Sequence, residues 1–126
     1  MTEARVRTYR ERQAAAQHQQ CFYCGFPMWS KHASEFAEYF GITRKEANRF
    51  HCTAEHLVAR RDGGTSELGN IVAACWFCNI NRHRRRLQGP DPDRYKQLVQ
   101  KRVKGQAWHP RSLHRMLTKH YTDLML

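Results

Sequence analysis

Residues 55–79 read EHLVARRDGGTSELGNIVAACWFCN, and this stretch decides the fold. Its start, together with the CTA before it, favours a β-strand over 52–59, and NIVAAC favours a second strand over 70–75. The segment between them is rich in glycine and turn-forming polar residues, so we expect a loop over 61–70. From Trp76 onward the pattern predicts a helix with a very basic end. The stretch therefore predicts two strands followed by a helix.

Two CxxC pairs flank this segment, Cys21/Cys24 in CFYCG and Cys75/Cys78 at the end of the second strand. Each pair lets two thiolates reach one tetrahedral ion from a single turn, and two matched pairs are typical of a zinc site. Four thiolates leave no position for water, so we expect the zinc to be structural and to stabilise the fold. The alternative is four buried cysteines without metal. Cys52 lacks such a partner and is expected to be a small buried apolar residue.

Length and composition set limits on the class of protein. The 126 residues predict one domain, 1–126, and the mean hydropathy of −0.83 predicts a thin core. Lys and Arg number 22 against 11 Asp and Glu, and the net charge of +11 favours a polyanionic partner such as nucleic acid. We expect no membrane contact, because the sequence shows no bilayer-spanning run and no signal peptide. These features predict a cytoplasmic protein with reduced thiols.

Helices are expected on both sides of the hairpin and between the two CxxC pairs. Residues 30–50 form a helical insertion, in which Thr43 and Glu46 have the spacing of a capping box. The insertion is also similar to a helix-turn-helix with a groove-reading helix at 44–50, the alternative being that it covers the core. A basic helical C-terminal extension occupies 90–126. The expected helices are 2–18, 31–40, 43–50, 92–104 and 111–121.

Residues 21 to about 86 resemble the HNH endonuclease family. The resemblance is carried by the CxxC pairs, Glu55-His56, Gly63-Gly64, Asn70, and Asn79 directly after the second pair. It implies an α+β fold with a ββα-metal core, a four-cysteine zinc site, and hydrolysis of phosphodiester bonds that leaves a 5′-phosphate and a 3′-hydroxyl. The sequence departs from the family pattern at Glu55, where Asp is commoner, and at Ala59, where proline is frequent.

The chemistry of phosphodiester hydrolysis suits these residues. It needs a base for water, which a neutral imidazole supplies near pH 7, and a hard divalent cation to neutralise charge and help the leaving oxygen. Adjacent strand residues point to opposite faces unless the strand bends, so Glu55 and His56 are expected to serve separate tasks. Asn79 offers an amide oxygen from the start of the following helix.

The family resemblance assigns the roles of these residues. His56 would be the general base, and Glu55 and Asn79 would hold one catalytic Mg²⁺ or Mn²⁺ ion. Asn70 would be structural, tying the loop so that His56 is aimed correctly. His83 lies at i+4 from Asn79 and is a further candidate ligand, the alternative being phosphate contact or solvent exposure.

Substrate binding is expected at a cluster of arginines after the catalytic helix, since phosphate relieves the repulsion among like charges. This cluster comprises Arg82, Arg84, Arg85 and Arg86. The alternative is a solvated basic face. Trp108 could stack on a base, with core packing as the alternative. The sequence thus predicts a metal-dependent DNA endonuclease. Its alternatives are a non-catalytic zinc module that binds nucleic acid and a ribonuclease that uses the same site.

Overall fold

The two expected strands pair as an antiparallel hairpin. In the computed structural model, which describes residues 3–84 and 91–119, β1 (Cys52–His56) lies against β2 (Ile71–Cys75). The register places Cys52 opposite Cys75 and His56 opposite Ile71. β1 ends three residues before the predicted end at 59, because the side chain of Asn70 takes both backbone hydrogen bonds of Val58. The hairpin therefore opens at His56.

Helix α4 (Trp76–Arg84) follows β2 without a loop and completes a ββα unit. Its buried residues are Cys78 and Arg82, so the side facing the hairpin carries a thiol and a cation as well as apolar atoms. The predicted continuation of this helix over 85–87 lies outside the described residues. The mixture of helices with one small antiparallel sheet confirms the α+β class and agrees with a ββα core.

Helix α1 (Glu3–Ala16) attaches to the outer edge of β2 mainly through hydrogen bonds, since Ala14 is its one buried residue. Gln13 Nε2 donates to the carbonyl of Ile71 at 2.8 Å. Gln17 bonds both backbone groups of Ala73, accepting from its N–H at 3.0 Å and donating to its carbonyl at 2.8 Å. These glutamines satisfy strand groups that have no third strand beside them.

The predicted helix over 2–18 ends earlier in the structure, at Ala16. His18 and Gln19 take positive φ values of 57° and 61°, which turn the chain toward the first CxxC pair. The reversal is supported by the bond from Gln19 N–H to the Ala14 carbonyl at 2.7 Å.

The insertion contains α2 (Ala33–Phe40), α3 (Arg44–Ala47) and a 3-10 helix at Asn48–Phe50. Thr43 and Glu46 form the predicted capping box, with side-chain bonds of 3.0 and 2.9 Å in the two directions. The buried residues of the insertion are Ala33, Ala37, Phe40, Ala47 and Phe50. Because 44–50 consists of one α-helical turn and one 3-10 turn whose apolar side chains face inward, the insertion covers the core.

The C-terminal extension begins with α5 (Pro92–Lys104), whose first N–H groups donate to the side chain of the capping residue Asp91. Tyr95 and Val99 bury its apolar side against the core. The expected helix over 111–121 is split into a 3-10 helix at Arg111–Leu113 and a helical segment at 115–119, while 120–121 lie outside the described residues. No described helix has the length and apolar character needed to cross a bilayer.

Candidate active site and metal centre

The four cysteines of the CxxC pairs converge on one point. Their sulfur atoms all lie within 4.8 Å of one another, and all four residues are buried. The sulfurs of Cys24 and Cys75 are 3.9 Å apart, close to the separation of about 3.8 Å that a tetrahedral ion with Zn–S bonds of about 2.3 Å imposes. Burial raises the pKa values of the Cys24 and Cys78 thiols, so a bound cation is needed to hold all four sulfurs as thiolates. The cluster fits the predicted structural zinc.

Local backbone geometry explains why the sequence forms this cluster. Cys75 is the last residue of β2 and Cys78 lies in the first turn of α4, so the strand-to-helix junction forms one half of the site. The other half is a tight turn in which Gly25, at φ 74°, donates its N–H to the Cys21 carbonyl at 3.0 Å. Cys52 lies nearby in the core, and burial raises its thiol pKa to about 11, which confirms it as a buried apolar residue.

A second group of polar side chains lines an open cavity of about 310 Å³ at the end of the hairpin. The cavity brings together Glu55, His56, Asn79 and His83, and the exposed Arg60 and Arg61 also line it. Glu55 and His56 were expected on opposite faces of a strand. Both reach the cavity because β1 ends at His56 and the chain bends directly afterwards.

Glu55 is the most buried residue of this cavity, with 1% of its surface exposed. Its Oε2 accepts hydrogen bonds from the Tyr23 hydroxyl at 2.8 Å and from Arg82 Nη1 at 2.9 Å. Burial, together with the carboxylate of Glu55, raises the pKa of Tyr23, so its hydroxyl stays protonated and donates. The other oxygen, Oε1, lies 2.9 Å from His83 Nε2. One oxygen of Glu55 is thus anchored and the other faces the cavity.

Arg82 departs from the sequence-based prediction of phosphate contact. Only 3% of its surface is exposed, and it donates to the carbonyls of His56 at 3.1 Å and Leu57 at 2.7 Å as well as to Glu55. These bonds fix the backbone on both sides of the point where β1 ends. Arg84 is exposed at the end of α4, and Arg85 and Arg86 lie outside the described residues.

The orientation of the Asn79 amide follows from its neighbours. Asn79 Nδ2 donates to Thr53 Oγ1 at 3.1 Å and to the Ala54 carbonyl at 3.4 Å. Thr53 Oγ1 gives its own proton to the Ala74 carbonyl at 2.6 Å, so it can only accept from Asn79. The amide nitrogen is therefore held against β1, which leaves the amide oxygen as the cavity-facing atom.

The atoms around the cavity suit a divalent cation. Neighbouring ligands of an octahedral ion with bonds of about 2.0–2.1 Å stand about 2.9 Å apart. Glu55 Oε1 and His83 Nε2 form a hydrogen bond of 2.9 Å, a separation that two neighbouring ligands of such an ion would also have, and Asn79 lines the same cavity. Oxygen and imidazole nitrogen are donors that Mn²⁺ accepts, and the oxygens alone suit Mg²⁺.

His56 is held by two loop residues that sequence reasoning did not single out. Its Nε2 lies 3.2 Å from Ser66 Oγ, and Arg60 Nε donates to the same nitrogen at 3.3 Å. Burial lowers the pKa of His56, and the positive charge of Arg60 and the nearby His83 lower it further, whereas Glu55 acts in the opposite direction. A lowered pKa keeps this imidazole neutral near pH 7. Ser66 and Arg60 belong to no recognisable sequence motif, so their contacts with His56 are evident only from the folded loop.

The loop that carries Arg60 and Ser66 is closed by Asn70 and a glycine. Asn70 donates from Nδ2 to the carbonyls of Val58 at 3.0 Å and Thr65 at 2.7 Å, and its Oδ1 accepts from Val58 N–H at 2.8 Å. Gly64 allows a close approach, because a Cβ there would lie 1.7 Å from the Val58 carbonyl oxygen. The structure thus places Asn70 where the predicted loop-tying role requires it.

Comparison with known families gives an independent finding on this segment. Residues 43–85 match the family described as HNH endonuclease. This segment of the chain is similar to HNH endonucleases. The match covers the hairpin and α4 with their cavity residues, and the first CxxC pair precedes it. No curated protein and no solved structure matches the chain. The match supports a nuclease-type function in general.

Proposed function

We propose that this protein is a metal-dependent endonuclease that hydrolyses DNA in the cavity at the end of the hairpin, with His56 as the general base. One observation carries the proposal: a single cavity gathers Glu55, His56, Asn79 and His83 beside two exposed arginines. A non-catalytic zinc module that binds nucleic acid has no need for a neutral imidazole next to a set of metal-ligating atoms.

The divalent cation is assigned to Glu55 Oε1, the Asn79 amide oxygen and His83 Nε2. When bound, a Mg²⁺ or Mn²⁺ ion neutralises charge on the scissile phosphate and stabilises the leaving oxygen. His83 joins the two ligands inferred from the sequence because its ring nitrogen lies 2.9 Å from Glu55 Oε1 inside the cavity. Arg82 and Tyr23 hold the opposite oxygen of Glu55 and so aim Oε1 at the cation.

Arg60 connects substrate binding with the base. An arginine side chain only donates hydrogen bonds, so the His56 nitrogen that accepts from Arg60 Nε is the unprotonated one. A phosphate is a stronger partner for a guanidinium than a neutral imidazole is. An entering phosphate therefore draws Arg60 away from His56 Nε2, and the Ser66 hydroxyl can rotate to donate elsewhere, so that the Nε2 lone pair takes a proton from water. Ser66, which is 7% exposed, keeps the ring in place.

The assignment to nucleic acid rests on charge. The chain carries a net charge of +11, and Arg60 and Arg61 line the cavity itself. Arg84 adds a positive charge directly after the proposed ligand His83. Phosphate contacts of this kind fix the register of a backbone and do not read the sugar. DNA is the proposed substrate, and RNA is included in the test.

The test is cleavage of supercoiled plasmid by purified protein with Mg²⁺, with Mn²⁺ and with excess chelator, alongside single-stranded DNA and RNA of the same sequence. We expect metal-dependent nicking of the plasmid. His56→Ala should lower the rate by about 10²–10⁴-fold, as loss of a general base typically does. The matched control is His32→Ala, which changes an exposed histidine outside the cavity and should cut at the parent rate.

Three results would count against the proposal. Equal rates for parent and His56→Ala would place the base elsewhere. Cutting of RNA but not of DNA would show that RNA, and not DNA, is the substrate. Tight binding of plasmid without cutting under any metal condition would identify a non-catalytic zinc module.

A further inference from the structure

Two side chains of the C-terminal extension donate hydrogen bonds to the cysteine cluster. Trp108 Nε1 donates to Cys78 Sγ at 3.3 Å, and His109 Nε2 lies 3.4 Å from Cys24 Sγ. Both residues follow α5 and lie outside the matched segment 43–85. The contacts therefore connect a part of the chain outside the HNH match with the cysteine cluster.

Arg49 determines which nitrogen of His109 carries the proton. Its Nε and Nη2 lie 3.2 and 3.0 Å from His109 Nδ1. Because an arginine can only donate, Nδ1 is the acceptor, and the proton of the neutral ring is on Nε2, pointing at Cys24. The guanidinium of Arg49 also lies over the ring of Phe77, 3.7 Å from its centroid. The positive charge of Arg49 thus polarises the His109 N–H toward the sulfur.

Aromatic packing fixes the position of the His109 ring. The ring is 3% exposed, and its centroid lies 4.4 Å from that of Phe26 and 4.9 Å from that of Phe50. Its plane is therefore set by the core rather than by solvent. A donor held in this way loses little entropy when it bonds to a thiolate.

Together with the backbone, these two side chains give every sulfur of the cluster a hydrogen-bond donor. The N–H groups of Tyr23 and Cys75 donate to Cys21 Sγ at 3.4 and 3.3 Å, and that of Cys78 donates to Cys75 Sγ at 3.4 Å. Cys24 and Cys78 accept from His109 and Trp108. Four thiolates around one Zn²⁺ leave a net charge of −2 in a buried place, and such donors offset it.

We propose that Trp108 and His109, the latter polarised by Arg49, form an outer shell that retains the zinc ion. Their hydrogen bonds to Cys78 and Cys24 stabilise the thiolate form of these residues over the thiol and offset the buried negative charge, which favours retention of the metal. Loss of an outer-shell partner typically costs about 10–100-fold in metal affinity. The C-terminal extension thereby contributes to metal retention in addition to its positive charge.

The experiment compares Trp108→Phe and His109→Phe with two matched controls. Trp29→Phe removes an indole N–H that donates to the Ala47 carbonyl at 2.7 Å rather than to a sulfur. His114→Phe replaces another buried ring of the extension, which contacts the same Phe26 at 5.1 Å. Trp108 and Trp29 undergo the same replacement, as do His109 and His114, but only the first residue of each pair contacts a sulfur. A difference within a pair therefore reports the contact to sulfur and not a general loss of packing.

Two measurements are made on the full-length protein, neither of which needs nuclease activity. The first is the rate of zinc transfer to a chromogenic chelator under native conditions. The second is the sulfur-to-metal charge-transfer absorption of the Co²⁺-substituted protein. Removing a donor raises the energy of the sulfur lone pair and moves this band to longer wavelength, which a change in packing alone does not do.

For both outer-shell variants we expect zinc affinity about 10-fold weaker or more, faster transfer, and a red-shifted cobalt band. Both controls should keep the parent band and transfer rate. An unmoved band and control-level transfer in Trp108→Phe and His109→Phe would overturn the proposal. If His109→Phe fails to fold, Trp108→Phe decides the matter by the same two readouts.

Discussion

Arg82 Nη1 donates to Glu55 Oε2 across 2.9 Å, and the two side chains are 3% and 1% exposed. An ion pair taken out of water in this way is favourable only when its remaining hydrogen-bonding groups are also satisfied. Arg82 meets this condition through the carbonyls of His56 and Leu57, and Glu55 through Tyr23 and His83. The pair therefore sets the geometry of the cavity and is sensitive to loss of either partner.

Replacement of Arg82 by methionine should destabilise the protein strongly. It leaves the Glu55 carboxylate buried without its cation, a change that typically costs about 3–5 kcal/mol. Arg82→Lys should recover only part of this, because lysine lacks the planar fork that reaches two carbonyls and a carboxylate together. Chemical denaturation of the zinc-loaded protein measures the effect. The control is Arg84→Met, an exposed position two residues on, for which about 0.5 kcal/mol or less is expected. Equal midpoints for the two methionine variants would contradict the role of the pair.

Asn79→Ala should raise the concentration of Mg²⁺ or Mn²⁺ needed for half-maximal cutting. It removes a proposed ligand oxygen but leaves His56 in place, so high metal should restore part of the lost rate. His56→Ala should not recover in this way. Metal titration of the cleavage rate distinguishes the two. Asn81→Ala is the matched control, since Asn81 is on the same helix and bonds only the Phe77 carbonyl among the contacts described for it. A metal requirement unchanged in Asn79→Ala would remove Asn79 from the ligand set.

The pH profile of kcat/KM should rise with pH along a limb whose midpoint lies below the ordinary histidine pKa of about 6.5. The base must be neutral to act, and burial together with Arg60 and His83 lowers the pKa of His56. Arg60→Gln removes one of these causes, so the pKa of His56 should rise and the ascending limb should move to higher pH. The position of the limb is the measurement, because loss of a phosphate contact lowers its height as well. Arg44→Gln, at an exposed position outside the cavity, should leave the limb where it is. If the ascending limb of Arg60→Gln stays at the parent pH, the charge of Arg60 does not affect the pKa of His56.

Gly64→Ala should disrupt the loop that carries Ser66 and Arg60. The new Cβ would lie 1.7 Å from the Val58 carbonyl oxygen and 2.9 Å from that of Ala59, so the backbone has to move. Overpacking of this kind costs about 1–3 kcal/mol or more, and here it should also displace His56 and slow cutting. Gly69→Ala is the control, because a Cβ there meets no atom within 4 Å. Thermal unfolding and cleavage rates of the two variants give the comparison. Equal unfolding temperatures and cleavage rates for Gly64→Ala and Gly69→Ala would mean that the loop accommodates the added Cβ without loss of function.

Those parts of the fold that depend on local spacing could be predicted from the sequence. The two CxxC pairs indicated a four-cysteine cluster because each pair fits a single turn, and the cluster is present. Thr43 and Glu46 formed their capping box because its bonds lie within four residues. The strand and helix types around the hairpin were also correct. β1 nevertheless ended early, since a side chain 12 residues away bonds the backbone of Val58.

The rest of the site could not be predicted, because it depends on contacts between distant segments. Tyr23 and Glu55 are 32 residues apart, and no spacing rule relates them. Arg82 looked like part of a basic run, yet the turn of α4 that carries it faces the hairpin and buries its charge. His109 gave no signal, since a single histidine 85 residues from Cys24 has no sequence pattern that links it to zinc.

Gln13 in α1 and Gln17, which directly follows that helix, have a consequence for the behaviour of the protein at high concentration. A two-stranded sheet has an edge on each side, and an unpaired edge is a template on which another copy of the chain can add a strand. Gln13 and Gln17 occupy the backbone groups of Ile71 and Ala73 that such a strand would use. We therefore expect these two glutamines to disfavour the addition of a strand from another copy of the chain at this edge of β2.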